Sequence, residues 1–184
     1  MPGRCEWADG PLAEYHDTEW GVPVHSDDAL FEGLVLQGAQ AGLSWLTIFK
    51  KRPAYREAFE GFSIDRVAAF DDADAVRLLL NPGIVRNRSK VHSAISNARA
   101  AQRVRDEFGS LDRFIWSFVG GEPVKNARQA MSDIPATSPE SDALSAGLKQ
   151  QGFRFVGPTI CYALMQADGL VNDHAVYCLR YDEV

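Results

Sequence analysis

Apolar residues along this chain recur at helical spacing, and no stretch alternates as a half-buried strand would. Residues 27–41 carry Leu30, Phe31, Leu34 and Val35 on one stripe, with Ser26 or Asp27 placed to cap the start. Gly42 breaks the pattern. A helix restarts at Ser44 with Trp45, Leu46, Ile48 and Phe49, and Pro53 is expected to bend or interrupt it before a short helix over 55–59. Short helices are predicted near 63–70 and 72–80, ending at Asn81–Pro82–Gly83. A long amphipathic helix spans about 87–107, with Val91, Ile95, Ala98 and Val104 at helical spacing and Gly109 as its stop. Ser110 is placed to cap the next helix, which carries Phe114, Ile115, Trp116 and Phe118. Residues 120–137 hold several turn formers and read as an irregular loop. Ser138 and Pro139 open a helix to about Gln151, closed by Gly152. Pro158 opens a last helix through Ala167, closed by Gly169.

The pattern predicts an all-α fold in one domain over 1–184, with an arm over 1–20 and a tail over 170–180. A chain of 184 residues, 46% hydrophobic, can bury a core without staples, so a metal site needs a reason of its own. No apolar run approaches the ~20 residues of a membrane span, and the N-terminus lacks a signal pattern. The expected compartment is the cytosol, with no membrane contact and a monomeric state. Cys5, Cys161 and Cys178 are three cysteines at wide spacing, which argues against a secreted disulfide framework. Cys161, mid-helix among apolar neighbours, reads as a core thiol.

A net charge of −6 is the opposite of the usual nucleic-acid footprint, because phosphate neutralisation drives such binding. The charges are segregated, however. Basic residues gather at Lys50, Lys51, Arg52 and Arg56, at Arg86, Arg88 and Lys90, and at Arg99, Arg103 and Arg105. An acidic protein with a local basic face is compatible with that distribution.

Three constellations carry chemistry. The first is the segment from Ser138 to Gly169, which reads helix, short apolar turn, helix. Gly152 and Gly157 bracket the turn, and the second helix starts at Pro158–Thr159 with free N–H groups and the positive end of its dipole. That suits one phosphate of a DNA strand; an ordinary helix turn packed in the core explains the same residues. The second is Cys5 and His16 in the arm with His174 and Cys178 in the tail. The tail pair is four apart and would share a face of one helical turn, and two thiolates with two imidazoles make a closed tetrahedral set for structural zinc. A buried thiol with surface histidines is the plain alternative. The third is Trp7, Tyr15, Trp20 and Trp45, large aromatics crowded into the first quarter of the chain. They either pin the arm to the domain or form a pocket in which a flipped base stacks.

The runs RCEWADGPLAEYHDTEWGVP, QAGLSWLTIFKKR, FRFVGPTICYALMQADGL and VNDH, spread over nearly the whole chain, resemble the 3-methyladenine DNA glycosylase I family of bacteria. The resemblance implies a helix–hairpin–helix DNA glycosylase fold with one structural Zn2+ clasping the N- and C-terminal segments. It implies a bacterial cytosolic enzyme that flips 3-methyladenine out of double-stranded DNA and hydrolyses its N-glycosidic bond. Carried over, the zinc ligands fall on Cys5, His16, His174 and Cys178. The base pocket falls on Trp7, Tyr15, Trp20 and Trp45, with Gln37 as its catalytic contact. The segment that plugs the gap left by the extruded nucleotide falls on Gln40, Gly42 and Leu43, with Leu43 as the wedge. The backbone-holding hairpin falls on Gly152, Gly157 and Thr159.

The chain departs from the family at two points. Gln37 stands where the family usually has a glutamate, which keeps hydrogen bonding and loses a charge that favours a cationic base. The arm is two residues shorter, with Ala13 and Glu14 where the family often has a further tyrosine. Asn172 falls where many related glycosylases carry a catalytic aspartate, so the expected mechanism uses no strong general base. Asp173 reads as support for the neighbouring histidine or as a cap of the tail. Gln37 also keeps open a rival of another class, a protein that binds alkylated lesions without cutting them. Release of a different alkylated base is the third reading.

Overall fold

The computed structural model describes residues 3–184. The arm already contains a short helix, α1 (Ala13–Thr18). It leads to α2 (Asp27–Gln40) and α3 (Trp45–Ala58). The short α4 (Ile64–Ala68) and α5 (Asp72–Leu80) precede the long α6 (Arg88–Phe108) and α7 (Leu111–Trp116). The last two helices among the described residues are α8 (Pro139–Gln150) and α9 (Pro158–Ala167).

Starts are set by capping side chains. Ser26 Oγ accepts from Ala29 N–H, Ser44 Oγ from Thr47 N–H and Ser110 Oγ from Arg113 N–H, while Ser138 and Ser141 cap reciprocally. Each such cap contributes about 1 kcal/mol. The predicted stripes turn inward. Leu30, Phe31 and Leu34 of α2 meet Ala98, Ala101 and Val104 of α6 in one core, with Phe59, Phe62, Leu144 and Leu164. Helices α2 and α9 approach closely at Gly33, where a Cβ would lie 2.4 Å from Asp168 Oδ2 and 2.8 Å from Leu164 Cδ1.

Three expectations are corrected. Pro53 does not end its helix; α3 runs through it from Trp45 to Ala58. Ile48, Tyr55 and Ala58 are buried on both sides of the proline, and that packing outweighs a local cost of about 3 kcal/mol. The segment 120–137 is not wholly irregular, and the chain is not free of strand. β1 (Val124–Lys125) pairs in parallel with β2 (Val171–Asn172), in the register Val124 to Val171 and Lys125 to Asn172. Isolated bridges extend the alignment, from Arg128 to Ala175 and from Gly3 to Cys178. Two-residue strands have no periodicity to read, so only the fold reveals them. Third, His174 and Cys178 share a non-helical turn, in which Cys178 N–H donates to Ala175 O at 2.7 Å.

Candidate functional site

The tail, laid along 124–128 and the arm, brings four ligand-type side chains together. One atom each from Cys5, His16, His174 and Cys178 lies within 4.8 Å of all the others, and all four residues are buried. Cys178 Sγ is 3.4 Å from His16 Nε2 and 3.5 Å from His174 Nδ1, and Cys5 Sγ is 3.7 Å from His174 Nδ1. A tetrahedral ion with ordinary zinc bond lengths would separate such sulfur and nitrogen atoms by about 3.6 Å. The outer nitrogens are held too. His174 Nε2 lies 3.1 Å from Trp20 O, and His16 Nδ1 lies 2.8 Å from Asp17 Oδ1. Arg4 donates to Asp17 and holds that carboxyl down at about 2. Each ring therefore presents a defined nitrogen to the centre, the usual outer-shell arrangement of a metal-binding histidine. Burial pushes the Cys5 thiol up to about 12 and the His174 imidazole down to about 4. A buried cation among these groups would favour the thiolate and the neutral imidazole.

Against this cluster stand the arm aromatics. The Trp20 ring meets His174 edge-on with centroids 4.6 Å apart, and Trp7 meets Trp20 at 4.9 Å. Tyr15 packs on Trp45 at 5.6 Å and on Phe49 at 5.2 Å. Trp7, Tyr15, Trp20 and Trp45 wall an open cleft of about 550 Å³, which Gln37, Gln40, Leu46, Gln166 and Ala167 also line. The aromatics thus pack the arm against the domain and at the same time line a cleft. Burial raises the Tyr15 phenol well above its ordinary value, so it is a neutral group at physiological pH.

Two buried polar atoms of the cleft residues have no hydrogen-bond partner among the described residues: Gln37 Oε1, an acceptor, and Trp45 Nε1, a donor. Leaving such atoms bare costs about 1–3 kcal/mol each, which a polar, planar ligand would recover. Met131 and Ile134, from the segment read as a loop, and Gln166, from α9, belong to the lining as well. Nothing in their spacing points to one another. Only the course of the chain joins them.

At the rim, Gln40–Leu43 makes a tight turn in which Leu43 N–H donates to Gln40 O at 2.6 Å. Gly42 has φ +77°, a region that other residues avoid, and Leu43 is 42% exposed. The hairpin lies between α8 and α9. Gly152 at φ +88° terminates α8, its N–H donating to Lys149 O while Phe153 N–H donates to Leu148 O. Gly157 has an ordinary φ of −63°, and a Cβ there would meet nothing within 4 Å. It therefore leaves the backbone open to an outside object rather than relieving strain. No side chain caps α9, and Thr159 in its first turn is exposed.

The carboxylate and amide after α9 are already engaged. Asn172 Nδ2 donates to Tyr181 O and Val184 O, and its Oδ1 accepts from His174 N–H. Asp173, fully buried, accepts from Tyr162 Oη, Gln166 Nε2, Asn126 Nδ2 and Arg128 Nε at 2.6–2.9 Å. Neither group is spare to activate water. Charge is sorted as well: Arg4, Arg52, Arg56, Arg105 and Arg128 are paired with carboxylates. Among the described residues, Lys51 and Arg86, which share a surface groove with Leu43, have no carboxylate within 4 Å, nor do Arg103, Lys149 and Arg154 near the hairpin.

A family model described as methyladenine glycosylase matches residues 6–181. The chain is 47% identical over 180 residues to DNA-3-methyladenine glycosylase 1 of Escherichia coli (strain K12), covering 97% of this chain and 96% of that protein. It is 41% identical over 180 residues to the DNA-3-methyladenine glycosylase of Haemophilus influenzae, covering 97% of each. A crystal structure of 3-methyladenine DNA glycosylase I superposes with a TM-score of 0.93 at 48% identity, over 96% of this chain and 98% of that one.

Proposed function

The chain belongs to the methyladenine glycosylase family of DNA glycosylases, and from that premise we propose that it releases 3-methyladenine from double-stranded DNA by hydrolysis. The observation that carries the substrate is the cleft with its bare acceptor, Gln37 Oε1, and bare donor, Trp45 Nε1, between aromatic faces. A methylated adenine offers a planar face to stack, edge groups to pair and a positive charge that aromatic rings attract. Such a base must leave the duplex to reach a cleft of this kind, and Leu43 is the side chain suited to fill the gap. The hairpin at Gly152, Gly157 and Thr159 holds the strand, with the backbone N–H groups of Gly157 and Thr159 as donors because that of Gly152 closes α8, aided by the unpaired cations nearby.

The chemistry needs little from the protein. In the cationic nucleotide the bond between sugar C1′ and the base is already weak. A water oxygen bonds to C1′ as that bond breaks, its electron pair neutralises the base, and the water proton passes to solvent. Engagement of Asn172 and Asp173 elsewhere supports a reaction without a strong general base. Tyr15, Trp20, Trp7 and Trp45 hold the base by stacking, and the Gln37 amide orients its edge.

The four-residue cluster fits one Zn2+, with Cys5, His16, His174 and Cys178 as ligands. Its closed donor set supplies folding energy at the clasp and leaves no position for substrate. No helix among the described residues is long and apolar enough to cross a membrane. The reading carries with it a bacterial cytosolic monomer. Base release from methylated duplex DNA, compared with the Gln37→Glu variant, tests it. Gln37 also favours a second reading, a binder of alkylated lesions; binding of the lesion by both proteins with release by neither would establish that instead.

A further inference from the structure

Helix α6 grips both segments assigned to DNA. From its first turn, Lys90 Nζ donates to Ala39 O at 2.8 Å and to Ala41 O at 2.6 Å, at the point where α2 gives way to the 40–43 turn. Two helical turns further along the same face, the Asn97 amide pairs with one backbone unit of the hairpin. Its Nδ2 donates to Arg154 O at 2.9 Å, and its Oδ1 accepts from Arg154 N–H at 2.8 Å. The two gripped segments also touch each other. A Cβ on Gly38 would lie 3.2 Å from Phe155 Cβ, and Phe155 itself is held at φ +55°.

These are expensive residues for simple packing. Lys90 has no carboxylate partner among the described residues, and burial lowers its pKa. Its ammonium gives up water for two carbonyls at the C-terminal end of α2, where the helix supplies no N–H donors of its own. Asn97 is 3% exposed and commits its amide to a single residue 57 positions away. A two-point contact of that kind fixes the orientation of the hairpin backbone as well as its position.

We infer that Lys90 and Asn97 are positioning residues that hold the wedge turn and the hairpin at a set separation on α6. A strand gripped by the hairpin is then already in register for Leu43. The inference rests on the reading that residues 40–43 and 152–159 meet DNA. Neither residue lines the base cleft, so their loss should weaken handling of the duplex while sparing recognition of the free base.

The test compares the parent with Lys90→Met and Asn97→Ala, each with and without Leu43→Ala. Amide exchange is measured over 40–44 and 152–156, with binding of free 3-methyladenine and of a duplex containing a reduced abasic site. Lys90→Met is expected to speed exchange over 40–44 and weaken duplex binding about tenfold, leaving free-base binding within about twofold. Leu43→Ala, which weakens the parent, should then have much less effect in the Lys90→Met background. Unchanged exchange, or an undiminished effect of Leu43→Ala, overturns the inference. Where Lys90→Met does not fold, Asn97→Asp decides: it keeps the acceptor for Arg154 N–H and loses the donor, so exchange should quicken over 152–156, and no change there overturns the inference. A parent that neither binds this duplex nor releases base exposes failure of the underlying reading before any variant is compared.

Discussion

His174 Nε2 lies 3.1 Å from the backbone carbonyl of Trp20, so the ring that completes the cysteine–histidine cluster is held by a residue of the cleft wall. The Trp20 ring also packs edge-on against His174. Clasp and cleft are therefore one mechanical unit.

The first prediction follows from that contact. The purified protein should carry about one zinc per chain by elemental analysis. Stripping it with a strong chelator should lower the melting temperature, at a cost of about 3 kcal/mol or more. Because Trp20 and His174 touch, tryptophan fluorescence and free-base binding should change together with metal loss. A protein that keeps its stability and base affinity after complete metal removal would refute the clasp.

Replacing Gln37 by glutamate should strengthen binding of the cationic base by about tenfold. A charge-assisted hydrogen bond exceeds a neutral one by roughly 1 kcal/mol or more. Neutral adenine should gain nothing, so the ratio of the two affinities, measured by calorimetry, is the informative quantity. Equal gains for both would mean that Gln37 does not face the base.

Leu43→Ala should leave stability within about 0.5 kcal/mol, because the side chain is 42% exposed and packs little. Single-turnover release from duplex DNA should fall by tenfold or more, while the free base binds as before. A stability loss without an effect on the duplex would make Leu43 an ordinary loop residue.

Asp168 supplies a pH signature. Its side chain is buried beside Gly33, its Oδ2 has no hydrogen-bond partner among the described residues, and burial, with neighbouring Glu32, holds its pKa well above the usual carboxylate range. Below the unfolded value near 3.9, both folded and unfolded chains are protonated there and nothing differs. Above it the unfolded chain ionises first, so this group makes the protein less stable as pH rises toward the folded pKa. Asp168→Asn should thus be stabilising at neutral pH, by on the order of 1–3 kcal/mol, and the advantage should fade as pH falls toward 4. Denaturant melts at several pH values would check it; an advantage that grows in acid would refute it.

Helix ends were legible because their causes are local. Ser44, Ser110 and Ser138 each act on N–H groups three residues ahead, and Gly152 closes α8 through its own φ. The ligand-type residues could be named from their chemistry, yet spacing alone left a buried thiol with surface histidines open. The resemblance to a family implied a ligand set, and the fold buries both histidines beside the two thiols. The geometry then supplied what neither contained: which nitrogen of each histidine faces the centre, and that the tail reaches it in parallel with 124–128.

What the sequence determined by itself is whatever short-range physics decides: where helices begin and stop, which face of each is apolar, and which side chains can ligate, stack or wedge. Tertiary structure alone decided which of these meet. The continuation of α3 through Pro53, the cleft lining by Met131, Ile134 and Gln166, and the grip of Lys90 on a turn 49 residues away all depend on long-range packing. Such contacts exist because a common core positions distant backbone against backbone, and no local pattern records that arrangement.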